Sequence, residues 1–128
     1  MIMKTGLFFL GVCLLLAGCA NTSTNPYAKY YQDQNWGFRP ADPSRIHPKL
    51  ITAEDAAAYA AQMRDTQGYW ILGYSAFEAT HGSPVPSQFA IGQAQFVGAD
   101  IVICSRHSAG PAQECEAIFL RKKPTAEN

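Results

Sequence analysis

Three side chains that could bind a metal or move protons follow two predicted strands of this 128-residue chain. Glu78 and His81 come after an apolar segment that ends at Phe77. His107 comes after a second apolar segment, which ends at Cys104. Because ligands favour the carboxyl ends of parallel strands, we expect these side chains to gather at one edge of a sheet. They could bind a metal or support acid–base chemistry, and the alternative is three ordinary polar loop residues.

Other motifs for catalysis or cofactor binding are missing from the sequence. It has no nucleophile elbow, no phosphate-binding loop and no zinc-protease motif. Ser75 lies within a predicted strand, which makes it a poor nucleophile candidate. We therefore expect no catalytic residues, no cofactor and no enzymatic activity.

The start of the chain reads as a secretory signal that ends at a cysteine. Lys4 precedes an apolar run over residues 6–17, and this order is typical of a signal peptide. The run is too short for a membrane-spanning helix, which needs roughly 20 residues. The sequence Leu16-Ala17-Gly18-Cys19 resembles the bacterial lipobox, in which the cysteine is acylated and the chain is cut before it. This resemblance implies that residues 1–18 are removed and that membrane lipid holds the protein through Cys19.

The residues after Cys19 bear on the choice of membrane. Ala20 and Asn21 follow it, with no aspartate, and under the sorting rule of such lipoproteins this implies the outer membrane of the cell envelope. A retained transmembrane anchor and a periplasmic protein without lipid remain as alternatives.

Two cysteines remain for the folded domain, because Cys13 leaves with the signal and Cys19 carries lipid. The midpoint between Cys104 and Cys115 falls in Ser108-Ala109-Gly110-Pro111, a sequence typical of a turn. If it turns a hairpin, the two cysteines lie directly opposite each other and can form a disulfide. The oxidising compartment favours this bond, which would contribute roughly 3 kcal/mol in the chain-entropy model. A redox-active pair is the alternative, although the spacing is not Cys-x-x-Cys.

The elements that must position these residues follow from hydrophobic periodicity. A first helix opens at Thr52 with a near capping box and stops at Gly68. Strand formers fill 69–77, where Gly73 indicates a bulge or a close backbone approach. A second helix covers about 87–97, and Gly98 ends it. Apolar strands follow at 101–104 and 114–121, separated by the turn.

These elements predict an α+β fold with a βαββ core. It consists of a small three-stranded mixed sheet, in which strands 69–77 and 101–104 are parallel neighbours joined by a right-handed crossover. One helix precedes this core. We place the globular domain at 51–123 and a C-terminal tail at 124–128.

Residues 19–50 are predicted to be the lipidated cysteine and a flexible tether, because prolines interrupt this segment. Aromatic residues also interrupt it, and they either pack on the domain or the bilayer, or bind a partner. They are Tyr27, Tyr30, Tyr31, Trp36 and Phe38.

The charge balance argues against nucleic acid as a partner. The precursor has 10 basic and 10 acidic residues, and loss of Lys4 leaves the mature chain near −1, without the basic stripe that such binding needs. Arg121-Lys122-Lys123 is a short basic cluster at a predicted strand end, either solvated or in contact with anionic lipid or glycan.

Two segments carry a further resemblance. Residues 69–77 read YWILGYSAF and residues 93–103 read QAQFVGADIVI. This pattern resembles a domain of small bacterial outer-membrane lipoproteins, similar in arrangement to the envelope-stress-sensing lipoprotein of the Rcs phosphorelay. The resemblance implies a lipidated, tethered βαβ domain. The chain departs from the Rcs lipoprotein in its cysteine spacing and in having only one possible disulfide in its domain.

We therefore expect a non-enzymatic envelope lipoprotein that acts as an adaptor or sensor and binds another envelope protein. One alternative is an accessory lipoprotein of a secretion or conjugation apparatus. The other is a metal-binding or hydrolytic periplasmic domain that uses His81 and His107.

Overall fold

The structure is a computed structural model that describes residues 25–34, 39–80 and 85–124. These residues form three α-helices, a short 3-10 turn (Pro43–Arg45) and five strands. The helices are α1 (Pro26–Lys29), α2 (Ala56–Gln67) and α3 (Ser87–Val97). The strands are β1 (Tyr31–Asp33), β2 (Lys49–Thr52), β3 (Tyr69–Thr80), β4 (Ile101–Ala109) and β5 (Ala112–Lys122).

The five strands form one mixed sheet in the order β1-β3-β5-β4-β2. β2 and β4 are parallel, and the other neighbours are antiparallel. The predicted three-stranded sheet with one preceding helix is therefore wrong, although the α+β class holds. The two missed strands, β1 and β2, have three and four residues. Such short edge strands leave too little alternation to be recognised in the sequence.

The order of the central strands also differs from the prediction. Strands β3 and β4 run in the same direction, but β5 lies between them and pairs with both. The helical connection through α3 therefore spans two strand spacings, roughly 10 Å. The sequence could not show this, because any strand that returns from a hairpin can also pair through its other edge.

Helices pack on both faces of the sheet. Along β5, Ala117 and Phe119 face one side and Ile118 and Leu120 face the other, as their alternation predicts. α2 packs on the second side through Ala56, Ala60 and Met63. On the first side, α3 packs through Ala90, Ala94 and Val97. These residues form a cluster with Tyr27 of α1, Leu72 of β3 and Val102 of β4.

Two glycines end the longer helices as predicted. Gly68 and Gly98 have φ values of +71° and +80°, which glycine adopts without strain.

The start of α2 was predicted three residues too early. Asp55, rather than Thr52, caps this helix, and its Oδ1 accepts a hydrogen bond of 3.1 Å from the Ala58 N–H. Thr52 ends β2 instead.

The N-terminal segment is part of the folded domain. The Tyr27 side chain is fully buried. The backbone carbonyl of Tyr27 accepts a hydrogen bond of 2.6 Å from the Ser75 hydroxyl of β3. The Asn25 side chain donates to the Phe89 carbonyl of α3 at 2.8 Å. The structure thus differs from the predicted flexible tether at residues 25–34, which pack on the domain, and at β2 (Lys49–Thr52), which pairs with β4. Trp36 and Phe38 lie outside the described residues.

Gly73 lets the edge strand approach β3. The register between β3 and β5 shifts between Ile71 and Gly73, which confirms the predicted bulge. A side chain at position 73 would overlap the Tyr31 hydroxyl and the Gln32 carbonyl of β1. This close backbone approach requires glycine.

Substitution of Gly73 tests this arrangement. We expect Gly73→Ala to lower the free energy of unfolding by about 1–3 kcal/mol, as is usual for an overpacked site. Gly92→Ala is the control, because the nearest atom to an added Cβ there is 4.0 Å away and alanine favours a helix over glycine by about 1 kcal/mol. Urea denaturation measures both variants, and equal stabilities would contradict the close approach at Gly73.

Candidate functional site

The helix α2 leaves part of its sheet face uncovered. Its apolar residues cover Ile101, Ile103, Ile118 and Leu120. Beyond these positions the same face continues with polar residues. There, Tyr74, Ala76 and Glu78 of β3 and His107 and Glu114 are exposed.

A cleft of about 450 Å³ lies on this uncovered part of the sheet. Four carboxylates line it, and we call it the carboxylate cleft: Asp55, Glu78, Glu114 and Glu116. Ser105, His107 and Ala76 also line it. Asp55 enters from the start of α2, where its role as the helix cap holds it in place.

The strand register arranges these side chains in two rows. Glu114 of β5 lies opposite Glu78 of β3 on one side and opposite His107 of β4 on the other. In the next row Glu116 lies opposite Ala76 and Ser105. Facing side chains of an antiparallel pair are about 5 Å apart at Cβ, so like charges at Glu78 and Glu114 repel each other.

No described residue neutralises these glutamates. Glu78, Glu114 and Glu116 make no ion pair and no side-chain hydrogen bond within the described residues. The arrangement therefore leaves an uncompensated negative charge in a concave surface, which a cationic group from another molecule would stabilise.

The structure brings two of the three predicted site residues to one surface. Glu78 and His107 share the carboxylate cleft, but the strand that carries Glu114 separates them. His81 lies outside the described residues. Among the described residues, no group of three His, Cys, Asp or Glu side chains could hold a metal ion.

Sequence reasoning missed Glu114 and Glu116. Their signal was the alternation Glu114-Cys115-Glu116 at the start of β5, which places both carboxylates on the face opposite Cys115. Without the strand order, nothing showed that this face lies between Glu78 and His107.

An open strand edge adjoins the cleft. β2 pairs with β4 only as far as Cys104, whose carbonyl accepts a hydrogen bond of 2.9 Å from Ala53. The even-numbered residues of β4 direct their backbone groups toward β2, as this bond and the 2.9 Å bond from Lys49 to Asp100 show. By the same alternation, Arg106 and Ser108 present their backbone groups at the edge beyond β2. No described residue pairs with them there.

The two domain cysteines lie on the opposite face of the sheet. Both are buried and unbridged in the structure, and Cys104 belongs to the cluster around Tyr27. Burial raises the pKa of the Cys104 thiol to about 11 and that of the Tyr27 hydroxyl to about 12, although the nearby Arg106 guanidinium lowers both in part. Protonated thiols are poor nucleophiles and poor metal ligands, so this face is not suited to thiolate chemistry.

The predicted pairing of the cysteines in the hairpin is wrong by two residues. Cys104 lies opposite Ala117, and Cys115 lies opposite Arg106. The loop consists of Gly110 and Pro111, one residue later than predicted, because Gly110 adopts a φ of +63° and proline fixes the next φ near −65°. This combination suits a type II′ turn. The cysteines are diagonal neighbours on one face, where Cα atoms are about 7–8 Å apart.

Comparison with known proteins found no matching family model, no similar characterised protein and no similar solved structure. Among the described residues, no helix has the length and apolar character that crossing a membrane requires.

The disulfide stays a prediction, which thiol labelling can test. We expect the denatured, unreduced chain to show no reactive thiol at Cys104 or Cys115, and the Cys104→Ala variant to show one at Cys115. Such a bond would require the hairpin to move, because Cα atoms more than 7 Å apart cannot be bridged without backbone movement. Labelling of both cysteines in the unreduced wild type would contradict the disulfide and agree with the described register.

Proposed function

We propose that this protein is a lipid-anchored lipoprotein of the bacterial cell envelope, most consistent with the outer membrane, that binds a second envelope protein without catalysing a reaction. The lipobox-like sequence at Cys19 supports the anchor. The observation that carries the binding role is the uncovered end of the sheet, where the carboxylate cleft adjoins the open edge of β4.

The chemistry of this surface points to one class of partner segment. An extended chain can add to an exposed strand edge through backbone hydrogen bonds, and Arg106 and Ser108 present such groups. Side chains of an added strand alternate between the two faces. Those on the cleft side would lie beside His107, within reach of the carboxylates of Glu114 and Glu116. Long cationic side chains therefore fit best, and the partner segment is an extended one with Lys or Arg at alternate positions.

The cleft is better suited to binding than to catalysis. Glu78, Glu114 and His107 are exposed, so water screens them and they lack the enclosed, low-dielectric surroundings in which preorganised charges stabilise a transition state most strongly. A cleft of this kind favours a charged partner and speeds its approach.

Charge reversal in the cleft tests this function. We expect Glu114→Lys/Glu116→Lys to reduce at least tenfold the amount of partner recovered after crosslinking in intact cells. Glu54→Lys is the matched control, because Glu54 is exposed and lies outside the cleft. The crosslinked peptide of the partner should be an extended segment rich in Lys or Arg. Failure to recover a partner with the wild type, or equal recovery with both variants, would contradict the proposal.

A proline at the open edge tests the binding mode separately. The Ser108 N–H points away from the sheet, and proline is tolerated at such positions of edge strands. We therefore expect Ser108→Pro to keep the fold, as judged by circular dichroism, and to reduce partner recovery severalfold. His107→Pro is the contrast, since it removes a hydrogen bond to β5 and should unfold the hairpin. Unchanged recovery with Ser108→Pro would rule out strand addition at this edge.

A further inference from the structure

The folded domain begins very close to the proposed lipid anchor. Only residues 20–24 separate Cys19 from Asn25, so the two Cα atoms are at most roughly 20 Å apart in any conformation. Asn25 is itself held in place. Its Oδ1 accepts a hydrogen bond from the Tyr27 N–H at 3.0 Å, and its Nδ2 donates to the Phe89 carbonyl at 2.8 Å. The surface around α1 and the start of α3 must therefore lie near the bilayer.

This surface has the composition of a membrane-contacting one. Tyr30 is 45% exposed and stacks on Phe77 with ring centroids 5.9 Å apart. The ammonium group of Lys29 lies 5.4 Å from the centre of the Tyr30 ring. Arg106 is exposed nearby and donates to the Val85 carbonyl at 2.6 Å. Tyrosine favours the headgroup region of a bilayer, with its ring in the apolar part and its hydroxyl in the polar part.

The two faces of the sheet differ in charge. Within the described residues, α1, α3 and the α3-facing positions of β3, β4 and β5 contain no Asp or Glu, and Asp33 of β1, which shares this face, forms an ion pair with Arg39 at 3.6 Å. The opposite face of the same strands carries the carboxylate cleft. Anionic headgroups attract cations near the surface and repel carboxylates, so only one of the two faces suits an anionic bilayer.

We propose that the α1–α3 face lies against a bilayer surface containing anionic phospholipid, with Lys29 and Tyr30 among the headgroups. This proposal rests on the lipid anchor at Cys19. It follows that the carboxylate cleft, on the other face of the sheet, is directed away from that bilayer toward the aqueous phase. The membrane contact and the partner site would then occupy opposite sides of one small domain.

Three exposed tyrosines provide an internal comparison for the test. Tyr30, Tyr59 and Tyr74 are 45%, 40% and 38% exposed, and the last two lie on the α2 side. The full-length lipidated protein is inserted into vesicles of phosphatidylethanolamine and phosphatidylglycerol and footprinted with hydroxyl radicals. We expect Tyr30 to be oxidised at least fivefold more slowly than Tyr59 and Tyr74. Lys29→Glu should bring the three rates within about twofold, whereas Lys49→Glu, at the far edge of the sheet, should not.

Equal oxidation of all three tyrosines in the wild type would overturn this orientation, and so would selective protection of Tyr59 and Tyr74. Flotation of the vesicles and mass spectrometry of Cys19 separate this failure from that of the anchor. If the protein floats with the vesicles and Cys19 is acylated, only the orientation is wrong. If Cys19 carries no lipid, the anchor in the proposed function is wrong as well.

Discussion

The alternation of side chains along β5, held in register by the loop at Gly110 and Pro111, is the constraint on which the rest of the structure depends. β5 is the central strand and pairs with both β3 and β4. Because a shift of one residue would move every side chain of a strand to the other face, this register decides the composition of both layers. It places Phe119 under α3, Leu120 under α2, and Glu114 and Glu116 in the carboxylate cleft.

The edges of the sheet depend on this centre. β1 reaches β3 only because the bulge at Gly73 and its missing side chain admit the Tyr31 hydroxyl. β2 stops pairing at Thr52, because the chain then turns into α2 under the Asp55 cap. The same cap therefore starts the helix, contributes a carboxylate to the cleft and leaves the edge of β4 open. The start of α2 and the short strand β2 together leave this edge of β4 open to an added strand.

A small domain that is anchored closely has little freedom to choose which surface it presents. The position of Asn25, bonded to α3, limits how far the domain can move from Cys19 if that residue carries lipid. The segregation of charge between the two faces would then place α1, with Lys29, and α3 on the bilayer side. The carboxylates would face the aqueous side. Anchoring and recognition would thus use opposite faces of one sheet, and alternate side chains of β5 contribute to both faces.

Local patterns in the sequence determined the helix α3 to the residue, the glycine stops at Gly68 and Gly98, the bulge at Gly73 and the two faces of β5. Each of these depends on neighbours within a few residues, where periodicity and backbone conformation suffice. The signal and lipid anchor at Cys19 likewise remain predictions from sequence alone.

The tertiary structure decided the strand order, the place of the N-terminal segment and the composition of the cleft. Those features depend on pairings between distant residues, such as Glu78 with Glu114 and Tyr31 with Ser75, and hydrogen bonds between strands carry no signature in the local sequence. The hairpin register lay between these cases. Gly110 and Pro111 form the loop one residue later than predicted, and this shift changes which β5 residue lies opposite each residue of β4.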